Sequence, residues 1–291
     1  MFQAGLLKGK RILVTGGGTG LGREIAAKYL ELGADIYICG RRKPVLDATA
    51  GELMREFGGS VKTLAVDIRQ AMAVEEMIDN IWQDGPLTGL VNNAAGNFLS
   101  RTQDLSPRGF DAIANIVFHG TFYTTQAVGK RWIAGGHKGS VISILVTWVW
   151  TGSPYVVPSA MSKAGLHVMT KSLAVEWGPY GIRLNAIAPG TFPTEGATTR
   201  LSPGEGWKAR AAPPNPMGRT GEMSELQNLA AFLMADGVEW LTGQTIAIDG
   251  GGYLQNGASF TELAKLTDAE WAAMREKIKA QNDKDRAQRT A

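Results

Sequence analysis

Cysteine is nearly absent from this chain: Cys39 is the only one among 291 residues. A single cysteine excludes an intramolecular disulfide and fits a reducing compartment. Cys39 ends the apolar run Ile36–Cys39, so we predict a buried structural thiol rather than a nucleophile. No metal site is predicted.

Long apolar runs and a strong charge of one sign are also lacking. The apolar runs are strand-sized, well short of the roughly 20 residues that a membrane span needs, so no membrane partner is predicted. The formal net charge is only +3 and the signs are mixed along the chain, which predicts no nucleic-acid partner. The first residues show neither an apolar signal region nor an Arg/Ser-rich transit pattern, and the expected compartment is the cytoplasm.

A glycine-rich turn follows the first predicted strand. Lys10–Thr15 is apolar and β-branched, which predicts a buried strand, and Arg23–Leu32 has a helical pattern. The turn between them consists of Gly16, Gly17, Gly18, Thr19, Gly20, Leu21 and Gly22. Glycines let the backbone approach a pyrophosphate, and the helix N-terminus supplies N–H groups and a positive dipole. In this strand–turn–helix context the pattern predicts a dinucleotide site.

The second predicted strand, Asp35–Cys39, is followed by cations. Arg41, Arg42 and Lys43 stand where an NAD-binding fold usually carries a carboxylate for the ribose 2′-hydroxyl. Cations suit a 2′-phosphate and a carboxylate would repel it. We therefore predict NADP(H) as cofactor; the alternative is a solvated basic turn.

Strands and helices alternate along the rest of the chain. This alternation predicts an α/β fold with a doubly wound parallel sheet in one domain, residues 1–291. A Gly/Pro/Thr-rich substrate lobe covers about 191–219, and a C-terminal extension covers about 253–291, with a capping box at Thr267 and Glu270. The further predicted strands are 61–66, 88–91, 139–146, 181–188 and 242–249, and the further helices are 106–132, 158–177 and 222–235.

Three motifs carry a resemblance to a known family. Asn92-Asn93-Ala94-Ala95-Gly96 follows a predicted strand, Asp67 ends another, and Ser159 precedes Lys163 by one helical turn. Together with the glycine turn they resemble the short-chain dehydrogenase/reductases, which have a Rossmann fold. That family usually carries Tyr-x-x-x-Lys, so Ser159 occupies the position of the Tyr.

The missing groups restrict the chemistry. The family's carbonyl-binding Ser corresponds to Val146, which cannot donate a hydrogen bond, and the hydroxyl of Ser159 is a very weak acid. Carbonyl reduction by the usual route is therefore disfavoured. A conjugated thioester needs less help, because hydride addition to the far end of a 2,4-dienoyl chain leaves an enolate that requires only hydrogen-bond donors and a later proton.

The resemblance narrows to the NADPH-dependent 2,4-dienoyl-CoA reductases of the mitochondrial type. It rests on the segments 92–99, 156–165, 171–185 and 266–271. It implies an acyl-CoA substrate bound by Arg69, Phe98 and Arg200. The cofactor residues that it implies are Gly16, Thr19, Gly20, Leu21, Gly22, Arg41, Arg42, Asp67, Ile68, Asn93, Ala94, Gly96, Lys163, Pro189, Gly190 and Phe192.

The proton donor is the open question. The resemblance places the family's thioester-binding Tyr and Asn at Trp148 and His119. Trp148 offers only an indole N–H, whereas His119 can both donate and protonate. We therefore predict catalytic roles for Lys163, Ser159, His119 and Trp148, with Tyr155 as a second polar candidate.

Two alternatives remain open on the sequence alone. One is a short-chain reductase for another enone or carbonyl with a relocated acid, and the other is a catalytically silent NADP(H)-binding protein. The family also commonly pairs its long helices, so a homo-oligomer, and specifically a tetramer, is expected.

Overall fold

The computed structural model describes residues 1–194, 215–255, 266–273 and 276. The chain divides into two compact units, Met1–Tyr253 and Leu254–Ala291. Predicted features within 195–214, including Arg200 and most of the substrate lobe, lie outside the described residues.

Seven parallel strands form one sheet in the order β3-β2-β1-β4-β5-β6-β7. The predicted doubly wound parallel sheet is therefore confirmed. The strands are β1 Arg11–Thr15, β2 Asp35–Gly40, β3 Val61–Ala65, β4 Gly89–Asn92, β5 Gly139–Ile144, β6 Ile182–Pro189 and β7 Thr245–Ile248.

Helices connect the strands. They are α1 Gly20–Glu31, α2 Lys43–Phe57, α3 Ala71–Asp84, α4 Pro107–Ala114, α5 Gly120–Gly135, α6 Trp148–Thr151, α7 Val157–Trp177, α8 Met223–Met234 and α9 Gly252–Gln255. Two short 3₁₀ turns lie at Thr102–Asp104 and Gly178–Tyr180. None of the helices in the described part of the chain is long and apolar enough to cross a membrane.

The strand order reverses beside β1. The chain passes from β1 to β2 and β3 on one side and then returns to place β4 on the other side. Val14 of β1 accordingly pairs with Ile38 of β2 and Val91 of β4. Ligands of such sheets bind beyond the carboxyl ends of the strands at this reversal, where the glycine turn and the Asn93 loop both lie.

Helices cover both faces of the sheet, so its central strands are apolar throughout. Ile12, Leu13 and Val14 are all fully buried although they alternate in direction. One face packs against α1 and α8, and the other against α3 and α5. Cys39 is fully buried, and burial raises the pKa of its thiol to about 12, as expected for a structural cysteine.

The predicted helix over 106–132 is continuous in the structure, but its middle turn is π-helical and not α-helical. Ser106 is the N-cap and accepts a hydrogen bond from the Gly109 N–H, as predicted. However, a π-helical segment, Asn115–His119, separates α4 from α5. A side chain at Gly120 would lie 2.7 Å from Ile68, so the helix passes too close to that residue for any larger one. Hydrophobic periodicity alone reveals neither the π turn nor this close approach.

The second unit shows the predicted capping box. Thr267 N–H donates to the carboxylate of Glu270 at 2.7 Å, and Glu270 N–H donates back to the Thr267 hydroxyl at 3.3 Å. A helix begins at 268 and is described to 273.

Candidate active site

The glycine turn after β1 lies so close to the loop after β4 that only glycine fits at some of its positions. Gly16 and Gly20 have φ angles of +66° and +56°, which favour glycine. A Cβ on Gly16 would lie 3.0 Å from the Ala94 Cα, and one on Gly22 would lie 2.3 Å from the Asn93 amide. Larger residues would therefore collide with the loop after β4.

A threonine hydroxyl joins this turn to the β4 loop. Thr15 Oγ1 accepts the N–H groups of Asn93 and Ala94 at 3.0 and 3.1 Å. In return, Asn93 Nδ2 donates to the carbonyls of Thr15 and Gly16 at 3.0 and 3.2 Å. Thr15 is not among the residues predicted from the sequence, although its position at the end of the first strand is a signal for it.

The cations after β2 differ in their partners. Lys43 pairs with Asp47 at 2.6 Å and also contacts Thr63. Arg41 and Arg42 are exposed and form no ion pair within the described ranges. These two guanidinium groups therefore remain available to an anion.

Asp67 and Arg69, at the end of β3, pair with each other. Arg69 Nε donates to both carboxylate oxygens at 2.9 Å, and Nη2 donates at 2.5 Å. This guanidinium lowers the pKa of Asp67. For either residue to bind a ligand, as predicted, the ion pair between Asp67 and Arg69 must first break. The intervening Ile68 is buried.

Lys163 lies on α7, one turn after Ser159, and is 5% exposed. Its ammonium group donates to the Ile144 carbonyl at the end of β5. Burial lowers the pKa of Lys163 to about 8. α7 thus brings an amine that changes its charge near neutral pH to the carboxyl edge of the sheet.

Ser159 lies one helical turn before Lys163 on α7 and is also buried. Ser159 is 4% exposed, and its hydroxyl makes no hydrogen bond within the described residues. Ser162, by contrast, donates to the Pro158 carbonyl at 2.7 Å. Ser159 therefore keeps its hydrogen-bonding capacity free, while Val146 contributes none.

Trp148 and Tyr155 lie in the segment between β5 and α7. Trp148 begins the four-residue helix α6 and is half-buried. Tyr155 is the only non-glycine residue with positive φ in the described chain, at +64°, and its side chain is 58% exposed. Its carbonyl accepts the Ser100 N–H at 2.9 Å, so its backbone connects the two loops that flank the site.

His119 lies on the solvent side of its helix. Its neighbours Val117 and Gly120 are buried, whereas His119 is exposed and contacts the rings of Phe118 and Tyr123. No hydrogen bond or ring contact in the described part of the chain joins it to Lys163, Ser159 or Trp148. The predicted catalytic role of His119 stays a prediction without a structural contact to support it.

Asn97 is a polar residue of the segment 92–99 that is not among the predicted site residues. It follows β4 and is half-buried. Its Oδ1 accepts the Phe98 N–H at 2.9 Å, and its Nδ2 group has no partner within the described residues. The sequence signal for Asn97 was a further asparagine directly between Gly96 and Phe98.

The segment after β6 packs tightly against the β7 turn. A Cβ on Gly190, which follows Pro189, would lie 2.6 Å from the Asp249 Cβ. Phe192 is buried and its ring would lie 2.4 Å from a Cβ on Gly221. A cavity of about 260 Å³ adjoins this packing, between Thr191 and Gly251. The predicted substrate residue Arg200 is outside the described residues.

A family model described as "Enoyl-(Acyl carrier protein) reductase" matches residues 16–252. The chain belongs to the short-chain dehydrogenase/reductase family. As a member of this family, it is an oxidoreductase, and a nicotinamide cofactor is supported.

Named relatives of this short-chain reductase include 2,4-dienoyl-CoA reductases. It is 40% identical to "Probable 2,4-dienoyl-CoA reductase 3 [(3E)-enoyl-CoA-producing]" of Caenorhabditis elegans, over 98% of this chain and 94% of that one. It is 39% identical to "Probable 2,4-dienoyl-CoA reductase [(2E)-enoyl-CoA-producing]" of Bacillus subtilis, over 84% and 97%.

Solved structures agree with the fold. A short-chain dehydrogenase from Bacillus anthracis superposes with a TM-score of 0.77 at 38% identity, covering 85% of this chain and 98% of that one. A gluconate 5-dehydrogenase from Burkholderia cenocepacia, solved with NADP and tartrate, gives a TM-score of 0.78 at 31% identity, over 84% and 95%.

The residues of this short-chain reductase fit a dinucleotide. The glycine positions leave space that a Cβ would fill, and two unpaired arginines stand after β2. In the part of the chain that the structure describes, no three His, Cys, Asp or Glu side chains gather as metal ligands.

Proposed function

We propose that this protein is an NADPH-dependent reductase of conjugated acyl-CoA thioesters, of the 2,4-dienoyl-CoA type. The observation that carries the proposal is which of the family's usual catalytic residues are kept and which are replaced. Lys163 is kept and buried, while the positions of the usual Ser and Tyr are Val146 and Ser159. The names of the relatives in Caenorhabditis elegans and Bacillus subtilis support the same substrate class.

Arg41 and Arg42 select the phosphorylated cofactor in this proposal. Both are free of ion pairs in the described ranges, and Lys43 adds positive charge although it is paired. A guanidinium can donate two hydrogen bonds to one phosphate. When bound, NADPH supplies a hydride to the far end of the conjugated system.

Lys163 holds the nicotinamide ribose and contributes positive charge near the reacting carbons. It already donates to a carbonyl at the end of β5, so its amine is fixed before any ligand arrives. Ser159, whose hydroxyl makes no hydrogen bond within the described chain, adds a donor one helical turn earlier. Neither side chain has to act as an acid on the carbon that receives the hydride.

Asn97 is the thioester donor that we propose in place of His119. Its free Nδ2 group lies in the loop after β4, and the Ser100–Tyr155 hydrogen bond connects that loop to the segment before α7. A fixed amide donor stabilises the enolate oxygen as negative charge develops there. The exposed position of His119 gives it no comparable contact.

The substrate's CoA moiety carries phosphates, for which Arg69 is the described candidate. Its present partner is Asp67, so binding of a CoA phosphate would compete with that carboxylate. Phe98, half-buried beside Asn97, would contact the acyl chain.

The test is direct turnover. Purified protein with NADPH and a short 2,4-dienoyl-CoA should oxidise the nicotinamide, followed by absorbance, and mass spectrometry should find an enoyl-CoA two hydrogens heavier than the substrate. NADH should serve poorly, and Lys163→Met should abolish the reaction. Reduction of simple ketones together with inertness toward unsaturated thioesters would contradict the proposal. Binding of NADPH without turnover of any enone, ketone or thioester would indicate a silent binding protein.

We also propose a homotetramer located in the cytoplasm. Large apolar side chains on the outer faces of the π segment, α5 and α7 are exposed in the single chain, including Phe118, Phe122, Met161, Val168 and Val175. Burying them between copies would remove these apolar side chains from water. Cell imaging of a tagged protein tests the compartment, because some relatives are named peroxisomal.

A further inference from the structure

Three aromatic rings from distant parts of the chain meet beside α7. Trp150 stacks on Tyr253 with ring centroids 4.7 Å apart and planes 27° apart. The edge of the stack meets His167, whose ring lies 5.9 Å from Trp150 at 78°. His167 Nδ1 in turn lies 2.9 Å from the Thr245 hydroxyl at the start of β7. The group thereby joins α6, α7, the start of β7 and the helix α9 that follows it.

Trp150 belongs to a helix that cannot be stable alone. α6 is one turn of four residues without a side-chain cap, and turns of that length are unstable in isolation. Its backbone hydrogen bonds are local, such as Trp150 N–H to the Thr147 carbonyl and Gly152 N–H to the Trp148 carbonyl. Its half-buried Val149 packs against a buried apolar cluster.

The same turn carries Trp148, which stands where the resemblance places a thioester-binding residue. Side chains two positions apart point in nearly opposite directions from a helix. A ring held on the Trp150 side therefore sets the rotation of the turn and, with it, the direction of Trp148. Aromatic pairs of this kind stabilise a fold by more than the burial of their apolar area alone.

We propose that Trp150, clamped between Tyr253 and His167, is a positioning residue that orients Trp148 toward the acyl chain and so sets the affinity for the thioester substrate. Trp150 itself does not contact the reacting atoms. The inference rests on the proposed function for its kinetic consequence, but the clamp is a property of the folded chain without ligand.

The Tyr253 ring is itself placed by a tight turn. The carboxylate of Asp249 accepts the N–H groups of Gly251 and Tyr253 at 3.0 and 2.7 Å. A fixed ring on the β7 side and a fixed imidazole on α7 form a rigid seat for the indole. Trp150 remains 39% exposed, so it lies at the edge of the site rather than within the core.

The first experiment measures hydrogen exchange of the full-length protein without ligand. Trp150→Ala and Tyr253→Leu should each accelerate exchange of the peptide that covers 147–152, whereas Trp150→Phe should leave it near the wild-type rate. Trp240→Ala is the matched control, because that tryptophan is fully exposed. Unchanged exchange in both Trp150→Ala and Tyr253→Leu would overturn the proposal, whichever substrate the enzyme reduces. If Trp150→Ala does not fold, Tyr253→Leu alone decides the test.

The second experiment measures kinetics with NADPH and a 2,4-dienoyl-CoA. Trp150→Ala should raise KM for the thioester by about tenfold, the effect of losing 1.4 kcal/mol of binding, with NADPH affinity changed less than twofold. Trp150→Phe should have a KM for the thioester close to that of the wild type. The double variant Trp150→Ala with Tyr253→Leu should raise KM by clearly less than the product of the two single effects. Faster exchange with unchanged KM would refute the role in substrate positioning. A wild-type protein that reduces no thioester would refute the proposed function instead, while the exchange result would still decide the clamp.

Discussion

The ammonium group of Lys163 donates a hydrogen bond to the carbonyl of Ile144. This contact joins α7 to the end of the central strand β5, and no carboxylate among the described residues pairs with the amine. Because the amine is buried, its charged form is disfavoured and its pKa falls to about 8. The site therefore contains a cation that the fold holds at a cost and that a bound ligand can stabilise.

The first prediction concerns the pH dependence of stability. Since the folded pKa of Lys163 lies below its ordinary value of 10.5, the unfolded chain binds more protons between these values, and stability rises with pH there. The effect is limited to roughly 3 kcal/mol. As pH increases from 8 to 10, the melting temperature of the wild type should rise relative to that of Lys163→Met. A constant difference would show that the amine is not desolvated.

The second prediction concerns cofactor choice. Arg41→Ala should raise KM for NADPH by about tenfold or more, the value of one charge-assisted hydrogen bond, and leave KM for NADH nearly unchanged. Lys43→Ala removes the same charge from a lysine already paired with Asp47, and should have a clearly smaller effect. Equal losses in the two variants would indicate a general electrostatic effect instead of a phosphate contact.

The third prediction separates two candidates for the thioester donor. Asn97→Ala should lower kcat/KM for a dienoyl-CoA by about a hundredfold, as for loss of one preorganised oxyanion donor. His119→Ala should lower it less than threefold because that ring is exposed. The reverse result would support the sequence-based assignment to His119 and remove Asn97 from the mechanism.

The sequence predicts the sheet well because parallel strands buried on both faces leave continuous apolar runs, as in Ile12–Val14. It also selects Lys163 and Ser159, since their spacing along a helix is local information. It cannot show that Arg69 neutralises Asp67 or that Trp150 reaches Tyr253. Those contacts depend on the direction of side chains and on segments far apart in the chain. The π segment before Gly120 is missed as well, because hydrophobic periodicity does not distinguish one π turn from an α turn.

The fourth prediction concerns the strained backbone of Tyr155. A non-glycine residue with φ of +64° costs about 1 to 2 kcal/mol relative to an unstrained conformation. Glycine removes this strain but loses some of the gain through its greater freedom in the unfolded chain. Tyr155→Gly should therefore raise the melting temperature by roughly 2 °C, measured by calorimetry. Tyr155→Ala should not; equal stabilisation by alanine would trace the effect to the exposed ring.

The fifth prediction concerns assembly. Val168 on α7 is 60% exposed in the single chain, and glutamate there would bring a charge into the proposed interface between copies. Val168→Glu should reduce the mass measured by light scattering from that of a tetramer to that of a smaller species. Met72→Glu, on α3 at a residue that is 79% exposed, is the matched control and should leave the mass unchanged. A tetrameric Val168→Glu variant would exclude this face.

The hydroxyl of Thr15 accepts two N–H groups of the β4 loop, and Asn93 returns two donors to the β1 turn. The glycine turn after β1, proposed to hold the pyrophosphate, and the loop after β4, proposed to lie toward the nicotinamide, are consequently one preassembled piece. Little ordering entropy remains to be lost when a dinucleotide enters. An engineer could therefore exchange the arginines after β2 to alter coenzyme preference while the geometry for hydride delivery stays in place.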